Sequence, residues 1–341
     1  MQQLSKANHY VPKLYLKQWA HEGRISTYRL LVPDERVPLW VPQSLKGIAF
    51  HQHLYTYVEG REETDAFERW LDSEFENPAE EAIRRVVQEE RMAPEHWRLL
   101  VRFAAALDVR TPARLRAFIR QQNAGLLELM NSTMQRSVQT LEDLVRCNKP
   151  LPSSPEDSDA KSIFKISIEP QPDGSGRVRA EAVIGRRLWI WQMTHLLTKT
   201  LGLLPAHRWT VLHAPAGMSW PTSDNPLIRL NFQDSKNYDF AGGWGVHKGE
   251  ILLPLSPKHL LHTCIGGKQW LRGTTPDVRT AQLIRKLIIE HADRYVFATE
   301  PADDIHLIRP RHVCSATYKS ELLAWQRWHQ EQSQAEREFQ R

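Results

Sequence analysis

Four polar side chains in widely separated segments have the chemistry of a hydrolytic site: His9, Glu74, Arg110 and Asp224. An imidazole can transfer a proton, a carboxylate can hold a metal or position water, and a guanidinium can neutralise charge that develops on a phosphoryl group. These residue types predict hydrolysis of a phosphodiester. Glu74 and Asp224 are the candidate ligands for a divalent metal, magnesium or manganese.

His9 precedes a predicted helix. Pro12 suits a first helical position because it has a fixed φ and no amide hydrogen, and Tyr15, Leu16 and Trp19 then recur at helical spacing. The partial positive charge of a helix N-terminus disfavours imidazolium, so we expect His9 to be neutral near pH 7. The alternative is a hydrogen-bonded histidine that anchors the chain end.

Glu74 is the most suggestive acid. On a single α-helix its face also contains Phe67, Trp70, Leu71 and Pro78. A carboxylate in that apolar stripe would be buried and would need a cation, a proton or a metal. Glu68, nearer the edge of the same helix, is a candidate for contacting a substrate. A buried ion pair that braces two helices is the alternative.

Arg110 ends one predicted helix, while Thr111 and Pro112 form the N-cap and first turn of the next. The guanidinium and the free helix N-terminus both favour an anion. This junction could therefore hold a phosphate or a carboxylate, and Glu74 would supply such a carboxylate. A structural Arg–Glu clamp explains the same residues.

Asp224 lies in the motif TSDNP, in a loop between two apolar runs. Catalytic side chains are often placed on such loops, and we predict that Asp224 is a metal ligand or a general base. The polar residues predicted to contact a substrate are Thr222 and Asn225 of this motif, and Tyr10 beside His9. An Asx-turn, with Pro226 forcing the preceding residue to be extended, would explain the motif without a function.

Composition excludes several protein classes. The chain has 341 residues, 41% of them hydrophobic and 25% charged, which is typical of a globular protein with a sizeable core. A net charge of +5 and a pI near 9.1 permit nucleic acid as a partner without requiring it. The three cysteines show no CxxC spacing, and there is no signal-like or membrane-spanning apolar stretch. We therefore predict a cytoplasmic protein without a membrane partner.

The order of the apolar patterns predicts an α+β fold. Residues 1–147 contain a small β unit followed by helices, and the Pro-, Ser- and Asp-rich residues 148–160 form a linker or a loop excursion. Short apolar runs and turns in residues 161–317 predict a mainly antiparallel sheet with two helices. Residues 318–341 predict a peripheral helical tail.

Several motifs of the chain resemble those of the bacterial family called domain of unknown function 4238. They are HYVPKLYLKQW, SLKGIAFHQHLYTY, FERWLDSE, RTPARLR, TSDNP, LPLSP and ADRYVFA. The resemblance implies a bacterial cytosolic protein but no particular activity. It also implies that the recurrent polar positions of the family correspond to His9, Glu68, Glu74, Arg110 and Asp224. Because the motifs lie on both sides of residues 148–160, we expect one composite domain.

The leading hypothesis is a nuclease-like phosphodiester hydrolase with a role in bacterial defence or stress. The alternative is a non-catalytic binding or regulatory protein, in which the same side chains form buried ion pairs and turns. The two hypotheses predict different geometries. Catalytic groups must meet in an open cleft within roughly 3–6 Å of a shared point, whereas structural groups point into separate buried sites.

Overall fold

The chain folds into an α+β structure, as its sequence predicts. The computed structural model describes residues 4–150, 163–172, 176–202 and 207–340. From residue 151 onward the predicted linker at 148–160 lies outside these ranges.

Prolines and N-cap residues begin the central helices. Pro94 and Pro112 each occupy a first turn, and Thr111 Oγ1 accepts the N–H of Arg114. The helices are α1 (Lys13–Leu16), α2 (Ala66–Leu71), α3 (Asn77–Val87), α4 (Pro94–Val109), α5 (Pro112–Arg146), α6 (Arg186–His195), α7 (Val278–His291), α8 (Asp303–Ile308) and α9 (Ser315–Phe339). Lys17–Trp19 and Leu45–Gly47 are 3₁₀ turns, and Asp72–Glu76 and Leu196–Thr200 are π-helical turns. None of the described helices combines the length and the apolarity needed to cross a bilayer.

The strands are short, as the frequent Pro, Gly, Asn and Asp residues predict. They are β1 (Ala7–His9), β2 (Arg24–Arg29), β3 (Leu31–Val32), β4 (Trp40–Ser44), β5 (Phe50–Gln52), β6 (Tyr57–Glu59), β7 (Glu62–Thr64), β8 (Lys165–Pro170), β9 (Gly176–Glu181), β10 (Thr210–His213), β11 (Thr222–Ser223), β12 (Ile228–Phe232), β13 (Tyr238–Asp239), β14 (Glu250–Pro254), β15 (His259–Cys264), β16 (Tyr295–Ala298) and β17 (His312–Val313).

Two antiparallel sheets position the polar motifs. One has the order β10-β15-β14-β12-β13 and consists of C-terminal strands. The other has the order β11-β16-β2-β4 and joins strands from both ends of the chain. In it Ser223 of the TSDNP motif pairs with Val296 of ADRYVFA, and Val296 pairs with Tyr28. Asp224 therefore lies beside residues 293–295.

One apolar core connects the N-terminal helices to the C-terminal sheet. Along α4, Leu100, Phe103, Ala104 and Leu107 are buried at helical spacing. Tyr15 and Trp19 enter the same core and also make polar contacts across it. The Tyr15 hydroxyl donates to Pro254 O at 2.7 Å, and Trp19 Nε1 donates to Trp220 O at 2.8 Å. These bonds fasten the first helix to segments more than 200 residues away.

The C-terminal helix α9 differs from the peripheral tail that its polar sequence predicts. Ser333 and Glu336 are buried in its last turns. Both Glu336 oxygens accept from the guanidinium of Arg186, which is itself fully buried. Glu336 Oε2 also accepts the N–H of Val58 at 2.8 Å. The polar pattern misleads because the buried residues of this helix, Ser333 and Glu336, are themselves polar.

Candidate functional site

Arg110 is the centre of a buried ion-pair network. Its Nη1 donates to Glu76 Oε1 at 2.5 Å, and its Nη2 donates to the carbonyl of His9 at 2.6 Å. The Tyr55 hydroxyl donates to the carbonyl of Arg110 at 2.5 Å. Burial disfavours the charged guanidinium, but the carboxylate of Glu76 outweighs this effect and raises the pKa of Arg110. Arg110 therefore clamps three segments of its own chain together.

The predicted burial of Glu74 is wrong. Residues Asp72–Glu76 form a π-helical turn, whose i→i+5 bonding adds a residue to the turn and rotates the side chains away from an α-helical pattern. Phe75 consequently takes the inward position, while the Glu74 side chain is 53% exposed and lies 3.7 Å from Arg102. Glu76, not Glu74, pairs with Arg110. Apolar spacing could not reveal this shift.

Glu68, predicted to contact a substrate, lies on the same network. Its Oε2 is 3.8 Å from Arg110 Nη2 and has no hydrogen-bond partner among the described residues. Burial raises the pKa of Glu68 to about 7, although Arg110 opposes this shift. Glu68 is thus partly protonated at neutral pH and contacts a buried arginine.

His9 is also mostly buried. Its ring centroid lies 5.6 Å from that of Phe50, and its Nδ1 has no hydrogen-bond partner within the described ranges. Burial lowers the pKa of His9 to about 4, with Lys13 and Arg110 adding to the shift. The imidazole is therefore neutral at pH 7, as expected, but burial is the main cause, and α1 has only four residues.

The polar side chains of the TSDNP motif form hydrogen bonds with other segments of the chain. Asp224 Oδ1 and Oδ2 accept the N–H groups of Asp293 and Arg294 at 2.9 and 2.8 Å. Burial and the nearby Asp293 carboxylate raise the pKa of Asp224 to about 7. The other predicted contact residues of the motif are also paired: Thr222 Oγ1 lies 2.7 Å from the Tyr15 hydroxyl, and Asn225 Oδ1 accepts from Thr111 Oγ1.

Tyr10 and Asp224 line a common cavity of about 170 Å³. This is smaller than the roughly 300–1,000 Å³ of typical small-molecule pockets. Two guanidiniums at its wall, those of Arg116 and Arg294, both pair with Asp293. Arg294 also pairs with Glu321, so two carboxylates of the protein compensate the two arginines of this cavity.

The four predicted catalytic residues do not form one site. Glu74 faces solvent, Arg110 is paired with Glu76, and Asp224 faces the small cavity. Neither Glu74 nor Asp224 belongs to a three-residue cluster of potential metal ligands in the described part of the chain. The structure instead brings together Tyr10 with Asp224, and His9 and Glu68 with Arg110.

His51 lines the small cavity together with Tyr10 and Asp224, and its burial predicts how stability changes with pH. Burial, with Arg116 adding to it, lowers the pKa of His51 from 6.5 to about 3. Below pH 6.5 an unfolded chain therefore takes up a proton that the folded chain does not, so stability falls with decreasing pH by up to about 1.4 kcal/mol per unit. A His51→Phe variant keeps a ring stacked on Trp325. We expect its urea-unfolding free energy to fall less steeply between pH 6.5 and 4 than that of the wild type.

The solvent-exposed His195, replaced by glutamine, is the control and should follow the wild-type pH profile. Parallel profiles for His51→Phe and the wild type would contradict the burial of a neutral imidazole at position 51.

The segments that meet around Arg110 and Asp224 contain the motifs that resemble the family. A comparison with family models shows whether the chain belongs to it. The model described as "Protein of unknown function (DUF4238)" matches residues 7–302. The chain belongs to the DUF4238 family. No curated protein and no solved structure matches the chain.

A larger cavity of this DUF4238 chain lies elsewhere. It is a groove of about 1330 Å³ between the start of α4, the start of β10 and the segment that follows β15. We call it the basic groove. Its lining residues with charge or an indole ring are Trp97, Arg98, Arg208, Trp209, Lys268, Trp270 and Arg272. No aspartate or glutamate is among the described residues that line it.

The cations of the basic groove are mostly uncompensated. Arg98 pairs with Glu95 at 2.6 Å, but Arg208, Lys268 and Arg272 form no ion pair with any residue the structure describes. The Arg272 guanidinium stacks on Trp97, with Cζ 4.5 Å from the ring centroid. Trp270 is 40% exposed. The groove thus offers positive charge and indole faces together.

Sequence reasoning missed the basic groove because its residues come from three distant segments. A local signal was nevertheless present. Basic and aromatic residues interleave in HRW at 207–209 and in KQWLR at 268–272. Such interleaving is typical of surfaces that bind nucleic acid.

Proposed function

We propose that this protein binds single-stranded nucleic acid in the basic groove. The observation that carries the proposal is the convergence of three cations that form no ion pair among the described residues with the exposed indole ring of Trp270, in a groove whose described lining has no acidic residue. Phosphates require positive charge without competing carboxylates, and unpaired bases require aromatic faces on which to stack. The basic groove supplies both.

The size of the basic groove favours a polymer over a mononucleotide. Its volume of about 1330 Å³ exceeds the roughly 300–1,000 Å³ of typical small-molecule pockets. Duplex nucleic acid keeps its bases stacked on one another, so their faces are not available to Trp270. A single strand can place a base on this indole while its phosphates contact Arg208, Lys268 and Arg272.

We further propose that the protein hydrolyses the phosphodiester bonds of the bound strand. This second step depends on the first, because a strand must bind before it is cleaved. Binding alone would make the protein a non-catalytic nucleic-acid-binding protein. Cleavage requires a group that activates water near the groove, and the residues predicted from the sequence do not supply it, since Glu74 pairs with Arg102 and Asp224 faces another cavity. A cytoplasmic nuclease in bacterial defence or stress is the biological role that would follow from cleavage.

Removing the three unpaired cations should weaken binding strongly. For a single strand, each phosphate contact contributes about 0.7 to the slope of log K against log salt concentration. A triple variant with Arg208→Ala, Lys268→Ala and Arg272→Ala should therefore lower the magnitude of this slope by about 2. Affinity should fall about a hundredfold at 0.1 M salt. Fluorescence anisotropy with labelled oligo-U and oligo-dT between 0.05 and about 0.3 M salt measures both quantities.

A matched control removes the same charge elsewhere. Lys46, Lys319 and Arg327 are exposed and do not line the groove, so their triple alanine variant should keep nearly the wild-type affinity. Trp270→Ala should weaken binding by about 1–3 kcal/mol per stacked base without changing the salt slope. Equal losses in both triple variants would show that net charge, not the basic groove, attracts the strand. If the wild type bound neither oligo-U nor oligo-dT, the proposal would be wrong.

A further inference from the structure

We propose that Glu89, His213 and His259 form a binding site for one transition-metal ion of the zinc type. Their potential donor atoms all lie within 4.8 Å of one another, which makes them the only such cluster among the described residues. Two imidazoles and one carboxylate form a donor set that zinc accepts in proteins. Magnesium and calcium, by contrast, prefer sites built mainly from oxygen atoms.

The sheet places the two histidines side by side. His213 at the end of β10 is the direct antiparallel partner of His259 at the start of β15. Directly opposed residues project their side chains from the same face of a sheet. The two ring centroids are 4.9 Å apart. Strand register, not a flexible loop, thus fixes the position of both imidazoles.

Glu89 reaches both histidines from the end of α3. Its Oε1 is 3.7 Å from His213 Nδ1 and 3.5 Å from His259 Nε2. With metal–ligand bonds of about 2.0–2.2 Å, donors of a tetrahedral site lie about 3.4 Å apart. The carboxylate oxygen is therefore already near the spacing that a shared ion requires.

An unpaired nitrogen points independently to a ligand. The His259 side chain is 5% exposed, and its Nε2 is buried without a hydrogen-bond partner among the described residues. A buried polar group without a partner is unfavourable, and a metal ion would satisfy it. On the other side of the ring, Nδ1 lies 2.8 Å from Ser256 Oγ, which also accepts the N–H groups of Lys258 and His259. This contact orients the ring, and a metal ion at Nε2 would select the tautomer with its proton on Nδ1.

Glu89 occupies a costly backbone position. It follows the C-cap of α3 with φ of +56°, and the N–H groups of Glu89 and Glu90 donate to Val86 O and Arg85 O. This is the helix-ending geometry in which glycine is preferred, because a Cβ atom in the left-handed region crowds the neighbouring carbonyl oxygen. The sequence instead has a carboxylate at this point, directed at two histidines.

The site would keep a coordination position open, and a backbone hydrogen bond links it to the segment that follows the basic groove. Three protein ligands leave a fourth position for water, the pattern of catalytic zinc sites. The N–H of His213 donates to the carbonyl of Thr274, two residues after Arg272 of the groove. Contact between the ion and a bound strand would rest on the proposed function, whereas metal binding itself does not.

Metal binding is tested on the full chain without nucleic acid. After treatment with a chelator and its removal, we expect calorimetry to show one Zn²⁺ bound per chain, and Co²⁺ to give the visible absorption of a four-coordinate site. His213→Gln and Glu89→Gly should each weaken Zn²⁺ binding at least about tenfold. Glu89→Gly should also leave the urea midpoint equal or higher, because glycine relieves the positive φ.

A double variant, Glu22→Gln with His195→Gln, is the matched control. Glu22 also has a positive φ of 49°, and both side chains are exposed and distant from the cluster in sequence. It should bind Zn²⁺ as the wild type does. Absence of stoichiometric Zn²⁺ binding by the wild type, or wild-type affinity in both cluster variants, would overturn the metal site. Neither result would bear on oligonucleotide binding, which the anisotropy experiment measures separately.

Discussion

Replacing Arg110 by methionine is expected to lower the free energy of unfolding by about 3–5 kcal/mol, the usual effect of removing one partner of a buried ion pair. The Arg110 side chain is 1% exposed, and that of Glu76 is 14% exposed. Without the guanidinium, the carboxylate of Glu76 and the carbonyl of His9 lose their partner inside the protein. Urea unfolding followed by tryptophan fluorescence measures the change.

The matched control is Arg102→Met. Arg102 lies on α4, and its pair with Glu74 at 3.7 Å is accessible to solvent, with side chains that are 30% and 53% exposed. Exposed ion pairs contribute roughly 0–1 kcal/mol, so the control should lose no more than about that amount. If Arg102→Met were the more damaging change, Glu74 would be the buried acid after all and the π-helical turn at Asp72–Glu76 would be misplaced.

The contrast between Glu74 and Glu76 shows why the fold could be predicted better than the site. The helix starts at Pro94 and Pro112 can be predicted from the sequence, because they depend on the backbone chemistry of proline itself. Which carboxylate faces inward depends on one extra residue in a helical turn, and a periodic pattern assumes that no such residue exists.

The basic groove and the histidine pair were hidden for a different reason. His213 and His259 become neighbours only through the register of β10 and β15, which no single segment specifies. Arg208 and Arg272 likewise lie 64 positions apart in the chain, yet both line the basic groove. Local signals can suggest such residues, but long-range pairing decides whether they meet.

The contacts of the family motifs explain why these residues are present, because they connect distant segments of the chain. Arg110 links the first strand to the acidic helix, and Asp224 binds the backbone at Asp293 and Arg294. Tyr15 of the opening motif reaches Thr222 of TSDNP. These contacts connect the N-terminal and C-terminal parts of the chain, so we infer that the motifs chiefly maintain the fold. Function is then expected at positions outside them.

Replacing Glu336 by alanine is the second change expected to cost about 3–5 kcal/mol of unfolding free energy. Glu336 accepts from Arg186 at 3.0 and 2.8 Å in a bidentate pair, and the two side chains are 3% and 0% exposed. The variant leaves a buried guanidinium whose remaining partners, such as Ser333 Oγ at 3.2 Å, are uncharged. It also removes the acceptor of the Val58 N–H. Urea unfolding again provides the measurement.

The decisive comparison uses a double variant, Arg186→Met with Glu336→Leu. Replacing both members of a buried pair by apolar residues of similar size is often neutral or stabilising, because no charge remains to be desolvated. We therefore expect the double variant to be more stable than Glu336→Ala, whereas Glu338→Ala, at an exposed position two residues further along α9, should cost little. The family match ends at residue 302, so this pair joins the matched region to a helix beyond it. If Glu336→Ala behaved like Glu338→Ala, α9 would be the peripheral tail that its composition suggests.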